Sequence, residues 1–88
     1  MKCIGDKDGM LFIFEKPGTY GFWMKDMNFP IDIIWLDSTK TIVYIEKGVS
    51  PSTYPKIFYP DDPSLYVLEL KSGTSDAKSM TIGQQLSW

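Results

Sequence analysis

The fold is decided by the stretch Ile31-Asp32-Ile33-Ile34-Trp35-Leu36. Five of its six residues are apolar, and β-branched and aromatic side chains of this kind favour an extended strand. The polar turn Asp37-Ser38-Thr39-Lys40 comes next, and residues 41–47 then resume the pattern of a strand. We therefore predict a β-hairpin over residues 31–47.

Two more apolar runs of strand length lie before and after this hairpin, at residues 10–14 and 65–70. Pro17-Gly18 predicts a turn after the first of them, because proline presets φ and glycine allows a positive φ. We therefore expect residues 20–24 to return from this turn and to pair with residues 10–14. The sequence thus indicates a second hairpin ahead of the first.

The last part of the chain predicts the one helix. Residues 74–80 suit a short helix, because Thr74 or Ser75 can cap its N-terminus and Asp76 lies in its first turn. Residues 85–88 suit a closing strand. The predicted fold class is mostly β, or α+β at most: a small barrel or sandwich of about five to six strands with one short helix near the C-terminus.

The chain has the length of one small domain, and we predict that residues 1–88 form a single domain. Residues 1–8 are charged and punctuated by glycine, which is typical of a lead-in segment. Residues 48–64 contain four prolines and several aromatic rings. This length and composition predict an ordered loop that covers the core.

The charge pattern excludes several classes of function. The formal net charge is −2, and all nine basic residues are lysines, which lack the guanidinium fork that suits phosphates and base edges. We therefore expect no nucleic-acid partner. The sequence has no histidine and one cysteine, which excludes histidine-dependent catalysis, histidine metal sites and an internal disulfide. The EF-hand spacing is absent, and we predict neither a metal nor a cofactor.

The hydropathy pattern indicates no membrane span. No apolar run approaches the length that a transmembrane helix needs, about 18 residues or more. The lysine next to Met1 is not followed by the apolar region of a signal peptide. From this chain alone we therefore predict a soluble, cytoplasmic protein.

Three charged residues stand out because each lies in or beside an apolar strand: Lys25, Asp32 and Glu69. An unpaired buried charge is costly, so such groups must be exposed, paired or held for binding. In a binding site they would form the polar floor of a cleft whose rim comprises Trp23, Phe29 and Tyr54 or Tyr59. The predicted ligand-binding residues are Trp23, Lys25, Asp26, Asp32 and Glu69.

These residues are compatible with three hypotheses of function. The first is a non-catalytic domain that binds a small or polymeric polar ligand, such as a carbohydrate, through this aromatic and charged cleft. The alternative is a structural or protein-interaction domain in which Lys25, Asp32 and Glu69 form an internal network. The third is a hydrolase that uses two carboxylates as acid and base. An enzyme is the least favoured, since a chain of 88 residues leaves little room for a cleft.

Three motifs in order carry a resemblance to a known family. They are Gly9-Met10-Leu11-Phe12-Ile13-Phe14, then Phe22-Trp23-Met24-Lys25-Asp26-Met27 with Pro30-Ile31-Asp32, then Tyr66-Val67-Leu68-Glu69-Leu70 with Gly73. In order and spacing they resemble the DUF192 family, a group of small bacterial and archaeal domains without an established function. The resemblance spans about residues 9–83. It implies a compact, mostly β fold with a helix, and it brings no activity, cofactor or catalytic residue.

The same resemblance predicts a shortened member of the family. Its members usually have a further strand and a helix with a Gly-Leu-Met motif ahead of Gly9-Met10-Leu11-Phe12, where only residues 1–8 stand here. An export signal would lie in that segment, and the gap it leaves on the core predicts self-association into a homo-oligomer. The family's usual Asn-Thr pair is Asp26-Met27 in this chain, and an ionised Asp26 cannot donate the hydrogen bonds of an amide.

Overall fold

The structure is a computed structural model that describes residues 2–3, 9–24 and 27–87, and these residues form seven strands and two short helical segments. In chain order the strands are β1 (Lys2–Cys3), β2 (Met10–Gly18), β3 (Phe22–Trp23), β4 (Ile31–Leu36), β5 (Ile42–Val49), β6 (Ile57–Phe58) and β7 (Ser64–Lys71). A 3-10 turn spans Pro51–Thr53, and the helix α1 spans Thr74–Ala77. The predicted class, mostly β with one short helix near the C-terminus, is confirmed.

Five of the strands form one antiparallel sheet in the order β1-β2-β7-β4-β5. β4 lies between β7 and β5, and all six of its residues are buried. An apolar strand without polar alternation needs cover on both faces, which the segments packed on the two faces of the sheet supply. The predicted hairpin is confirmed, with Ile34 of β4 opposite Ile45 of β5.

Each face of this sheet carries its own apolar cluster, because successive side chains of a strand point to opposite faces. We call the face that α1 covers the helix face; its buried residues are Leu11, Ile34, Leu36, Ile42, Leu68, Leu70 and Met80. We call the other the aromatic face; its buried residues are Met24, Ile31, Ile33, Trp35, Val49 and Val67.

The two covers come from separate parts of the chain. β3 and β6 form a two-stranded sheet, and their residues Phe22 and Phe58 pack on the aromatic face. On the helix face, Met80 and Leu86 from the segment after α1 pack against the buried cluster. Among the residues described, β1 and β5 end the large sheet and do not pair with each other, so the architecture is layered and not a closed barrel.

The predicted pairing of residues 10–14 with residues 20–24 is wrong. β2 pairs with β1 and β7, whereas β3 pairs with β6. The physical reason is burial of the Phe22 ring, which lies across the ring of Phe12 at 5.1 Å instead of beside it in a ladder. Packing above the sheet covers the aromatic rings of β2, which a strand at its edge would leave open to water.

Two further predictions concern the ends of the chain. In the predicted lead-in segment, residues 2–3 form β1, and residues 1 and 4–8 lie outside the described residues. The predicted closing strand at residues 85–88 is reduced to a single bridge between Thr41 and Gln85, within the range up to residue 87 that the structure describes. The N–H of Ile42 donates to the carbonyl of Gln84, which holds this segment against β5.

Candidate functional site

Asp32 is the most deeply buried of the three predicted site residues that the structure describes, with 1% of its surface exposed. Its side chain lies on the helix face, since it has the same parity in β4 as Ile34. Its Oδ1 accepts a hydrogen bond from the N–H of Gly48 at 2.8 Å. Its Oδ2 accepts from the N–H and the hydroxyl of Ser75, at 2.9 and 2.8 Å. Both carboxylate oxygens are therefore occupied by donors within the protein.

These three hydrogen bonds join three elements of the fold. They link β4 to the end of β5 at Gly48 and to the first turn of α1 at Ser75. A helix of four residues has no stability of its own, and a carboxylate on the free N–H groups of its first turn stabilises it. Among the described residues, no buried side-chain polar atom is left without a hydrogen-bond partner. Asp32 thus holds α1 on the sheet, and we call its three hydrogen bonds to Gly48 and Ser75 the Asp32 clamp.

Glu69 lies in β7 on the aromatic face. It is opposite Met10 of β2 and Ile33 of β4, and Ile33 belongs to the apolar cluster of that face. The side chain is partly buried, and this burial raises the pKa of the Glu69 carboxyl above its usual value of 4.5. An embedded carboxyl with a raised pKa is a feature that binding sites share with purely structural positions.

The raised pKa of Glu69 predicts a pH-dependent gain in stability for Glu69→Gln. Folding raises the pKa of Glu69, so ionisation of its carboxyl opposes folding. The stabilisation that the neutral carboxyl gives to the native state is fully present below pH 4.5 and is lost as the pH rises through the folded-state pKa. Glutamine does not ionise, so the free energy of unfolding of the variant, relative to wild type, should be higher at pH 7 than at pH 3.5. Urea unfolding at the two pH values measures this difference.

Glu15→Gln is the control for this measurement, because Glu15 is an exposed residue of β2. It should show a smaller change between the two pH values than Glu69→Gln. Equal pH profiles for wild type and Glu69→Gln would contradict the effect of burial on the Glu69 carboxyl.

The sheet separates two of the predicted site residues. Asp32 is opposite Leu70, and its neighbour Ile33 is opposite Glu69. The two carboxylates therefore point to opposite faces, Asp32 to the helix face and Glu69 to the aromatic face. Lys25 and Asp26 lie outside the described residues. The structure does not bring Asp32 and Glu69 into one cleft.

Trp23 lies on the outer side of the cover of the aromatic face. Its neighbour Phe22 points inward to the ring of Trp35, so Trp23 points outward, and 44% of its surface is exposed. Its ring is 5.2 Å from the ring of Tyr54, centroid to centroid, at a tilt of 46°. Tyr54 is 45% exposed. The two rings thus form an exposed, angled pair.

Two more large side chains extend this exposed pair. Ile57 is opposite Trp23 in the β3-β6 pair, and Tyr59 follows two residues later. Ile57 is 43% exposed and Tyr59 is 56% exposed. We call the set the outer aromatic surface; its residues are Trp23, Tyr54, Ile57 and Tyr59.

Gly21 makes the close packing within this surface possible. A Cβ atom at Gly21 would lie 2.5 Å from Cγ2 of Ile57 and 2.6 Å from Cε1 of Tyr59. Only glycine leaves room for both side chains at that point. The rim predicted from the sequence comprises Trp23, Phe29 and Tyr54 or Tyr59, and it does not include Ile57. The alternation Ile57-Phe58-Tyr59, with Phe58 facing inward, is the signal that could have found it.

Two properties of the described residues bear on other classes of site. No group of three or more His, Cys, Asp or Glu side chains is placed to hold a metal ion within the described ranges. In the same part of the chain, no helix has the length and apolar character needed to cross a membrane.

The fold is that of a small, mostly β domain with a five-stranded antiparallel sheet, and the chain belongs to the DUF192 family. The family model, described as "Uncharacterized ACR", matches residues 2–88. None of the curated proteins matches the chain. The family therefore establishes the kind of domain and leaves its activity open.

Two solved structures are similar to the chain. One is a protein of unknown function from Novosphingobium aromaticivorans, with 27% sequence identity and a TM-score of 0.86. The match covers 97% of this chain and 60% of that protein. The other is a protein from Sinorhizobium meliloti that is named as a "putative transcription regulator", with 33% sequence identity and a TM-score of 0.84. The match covers 90% of this chain and 60% of that protein. The chain thus spans 60% of the length of each.

Proposed function

We propose that the chain is a non-catalytic binding domain for a polar ligand, and that the ligand is a carbohydrate. The observation that carries this proposal is the exposed ring pair of Trp23 and Tyr54. Large rings in a small domain normally belong to the core, as Phe22 and Trp35 do here. Two adjacent rings that remain nearly half exposed form a surface that a ligand can cover.

A sugar matches the chemistry of this ring pair. One face of a sugar ring consists of C–H groups and packs on the apolar face of an aromatic ring, while its hydroxyls hydrogen-bond to polar groups at the edge. The Tyr54 hydroxyl is one such group. Lys25 and Asp26 follow Trp23 directly in sequence and are proposed as further polar contacts. Glu69 also stays part of the proposed site. It is a carboxylate embedded in the aromatic face of the large sheet, the face that β3 covers.

Asp32 has a different role in this proposal. It is 1% exposed, and donors from Gly48 and Ser75 occupy both of its oxygens. A ligand could reach it only by breaking these three hydrogen bonds, two of which are buried, and this is costly. We therefore assign Asp32 to holding α1 on the sheet and not to ligand contact.

The second candidate is a protein-interaction domain, and Ile57 is the observation that favours it. An exposed isoleucine beside aromatic rings is typical of surfaces that bind an apolar partner and offers nothing to a sugar hydroxyl. The name of the Sinorhizobium meliloti protein suggests a third partner class, DNA. We do not extend it to this chain, because its net charge is −2 and it has no arginine.

Binding experiments test the carbohydrate proposal. Thermal melting in the presence of neutral oligosaccharides should raise the melting temperature of wild type, because a ligand that binds only the native state stabilises it. Trp23→Ala and Tyr54→Ala should each weaken binding by about tenfold, which corresponds to about 1.4 kcal/mol for the loss of one stacking ring. Isothermal titration calorimetry measures that loss.

Ile82→Ala is the control variant. Ile82 is 62% exposed and lies in the C-terminal turn, in which the N–H of Gln84 donates to the carbonyl of Thr81. The substitution therefore removes a large exposed side chain outside the ring pair. It should bind like wild type. The carbohydrate proposal fails if no neutral oligosaccharide shifts the melting temperature, or if both ring variants bind as wild type does.

A further inference from the structure

The outer aromatic surface has two separate ring positions. Trp23 and Tyr54 form one, and Tyr59 forms the other, with Ile57 between them. Trp23 is directly opposite Ile57 in the strand pair. Tyr59 comes one residue after the end of β6, and its ring lies against Gly21, which precedes Trp23 by two residues.

The second ring position is fixed by its packing. The Tyr59 ring and the Ile57 side chain converge on Gly21, where a Cβ would lie 2.6 Å from one and 2.5 Å from the other. The Tyr59 ring is therefore supported from below by backbone, and 56% of the residue faces solvent. Tyr54 is thus linked to Tyr59 in steps: Tyr54 lies beside Trp23, Trp23 is opposite Ile57, and Ile57 and Tyr59 meet at Gly21.

The charge of the surface indicates which ligands fit it. All four of its side chains are uncharged. The neighbouring ammonium group of Lys56 lies over the Phe58 ring at 4.9 Å, on the other parity of the strand. A row of uncharged rings complements a neutral, hydroxyl-rich chain, whereas a polyanion would require a row of cations.

We infer that the ligand of this surface is a neutral, linear carbohydrate polymer that lies along it from the Trp23–Tyr54 pair to Tyr59. This inference rests on the proposed function. We assign the two ring positions to different units of the polymer, because the Trp23 ring packs beside Tyr54 whereas the Tyr59 ring packs over Gly21. A single sugar reaches only one of them, and a longer oligosaccharide reaches both.

A length series tests this inference. Cello-oligosaccharides and chito-oligosaccharides of one to six units are titrated into the full chain by isothermal titration calorimetry. The association constant should rise at least tenfold between one unit and the length that reaches Tyr59, and should then stay level. Trp23→Ala should weaken binding at every length.

Variants at the second position separate the ring from other effects. Tyr59→Ala should remove the gain for the longer oligosaccharides and leave the binding of the shortest ones unchanged. Tyr59→Phe keeps the ring and should bind as wild type does. Gly21→Ala keeps Tyr59 but displaces its ring together with the side chain of Ile57, and should weaken the binding of the longer ligands more than that of the shortest ones. Melting curves confirm that each variant is folded.

The possible failures are distinguishable. If no oligosaccharide of any length binds, the proposed function fails, and this inference fails with it. If oligosaccharides bind with equal affinity at all lengths, or if Tyr59→Ala binds the long ones as wild type does, the ligand is a small sugar at the first position. The proposed function then stands, and the inference of a polymer is overturned.

Discussion

Replacing Asp32 by alanine is expected to lower the free energy of unfolding by about 3 to 5 kcal/mol. The substitution removes a carboxylate that is 1% exposed and leaves three donors without an acceptor: the buried N–H and hydroxyl of Ser75 and the partly buried N–H of Gly48. Each buried donor left unsatisfied costs about 1 to 3 kcal/mol. A small domain has about 5 to 15 kcal/mol in total, so the variant will be close to unfolding. Urea denaturation followed by circular dichroism measures the loss.

Asp37→Ala is the matched control for Asp32→Ala. Asp37 also accepts three hydrogen bonds, from the N–H and hydroxyl of Thr39 and from the N–H of Thr41, but it lies in a turn that water reaches. Water can replace the lost carboxylate there, so the expected loss is about 1 kcal/mol. Equal losses for the two variants would show that burial adds nothing to the clamp. Ser75→Ala removes one of the three donors of the clamp and should cost about 1 kcal/mol.

Gly9→Ala is expected to cost about 3 kcal/mol or more. A Cβ at this position would lie 1.8 Å from the backbone carbonyl oxygen of Glu69, a distance at which one of the two strands must move. The φ angle of +118° adds strain, because a residue with a Cβ rarely adopts it. The movement would disturb the pairing of Met10 with Glu69, where β2 joins β7. Chemical unfolding of the variant measures the cost.

Gly73→Ala separates the two causes. Gly73 has a φ of +91°, and a Cβ there would meet nothing within 4 Å. Its expected cost is about 1 to 2 kcal/mol, from backbone strain alone. If Gly9→Ala is no more destabilising than Gly73→Ala, the contact with the Glu69 carbonyl is relieved without cost and the prediction is wrong.

Local features of the fold could be predicted from the sequence, whereas pairings between distant segments could not. The hairpin of β4 and β5 was predicted because its two apolar runs are joined by the polar turn at residues 37–40, a signal contained in adjacent residues. The pairing of β3 with β6 could not be predicted, because Trp23 and Ile57 are 34 positions apart and Phe22 and Phe58 are 36 positions apart. No local pattern selects one partner over such a distance. Residues 20–24 were instead assigned to the nearest strand.

The candidate site shows the same limit at the level of single residues. The sequence identified Asp32 and Glu69 as unusual charges within apolar strands. Whether they meet depends on the register of β4 against β7, because a shift by one residue moves a side chain to the other face. In the observed register, Glu69 is opposite Ile33 and not Asp32. The partners of Asp32 are also remote, at 16 residues to Gly48 and 43 residues to Ser75.

Before the chain folds, the segment Ile31–Leu36 is prone to aggregation, because its six residues have high β propensity and a single charge. Such segments stack with copies of themselves when several unfolded chains meet. Asp32 interrupts the segment from within, and Pro30 and Asp37 flank it, in the positions where residues that oppose aggregation are found. The Asp32 carboxylate that holds α1 on the sheet in the native protein therefore also opposes the aggregation of unfolded chains before the sheet has formed.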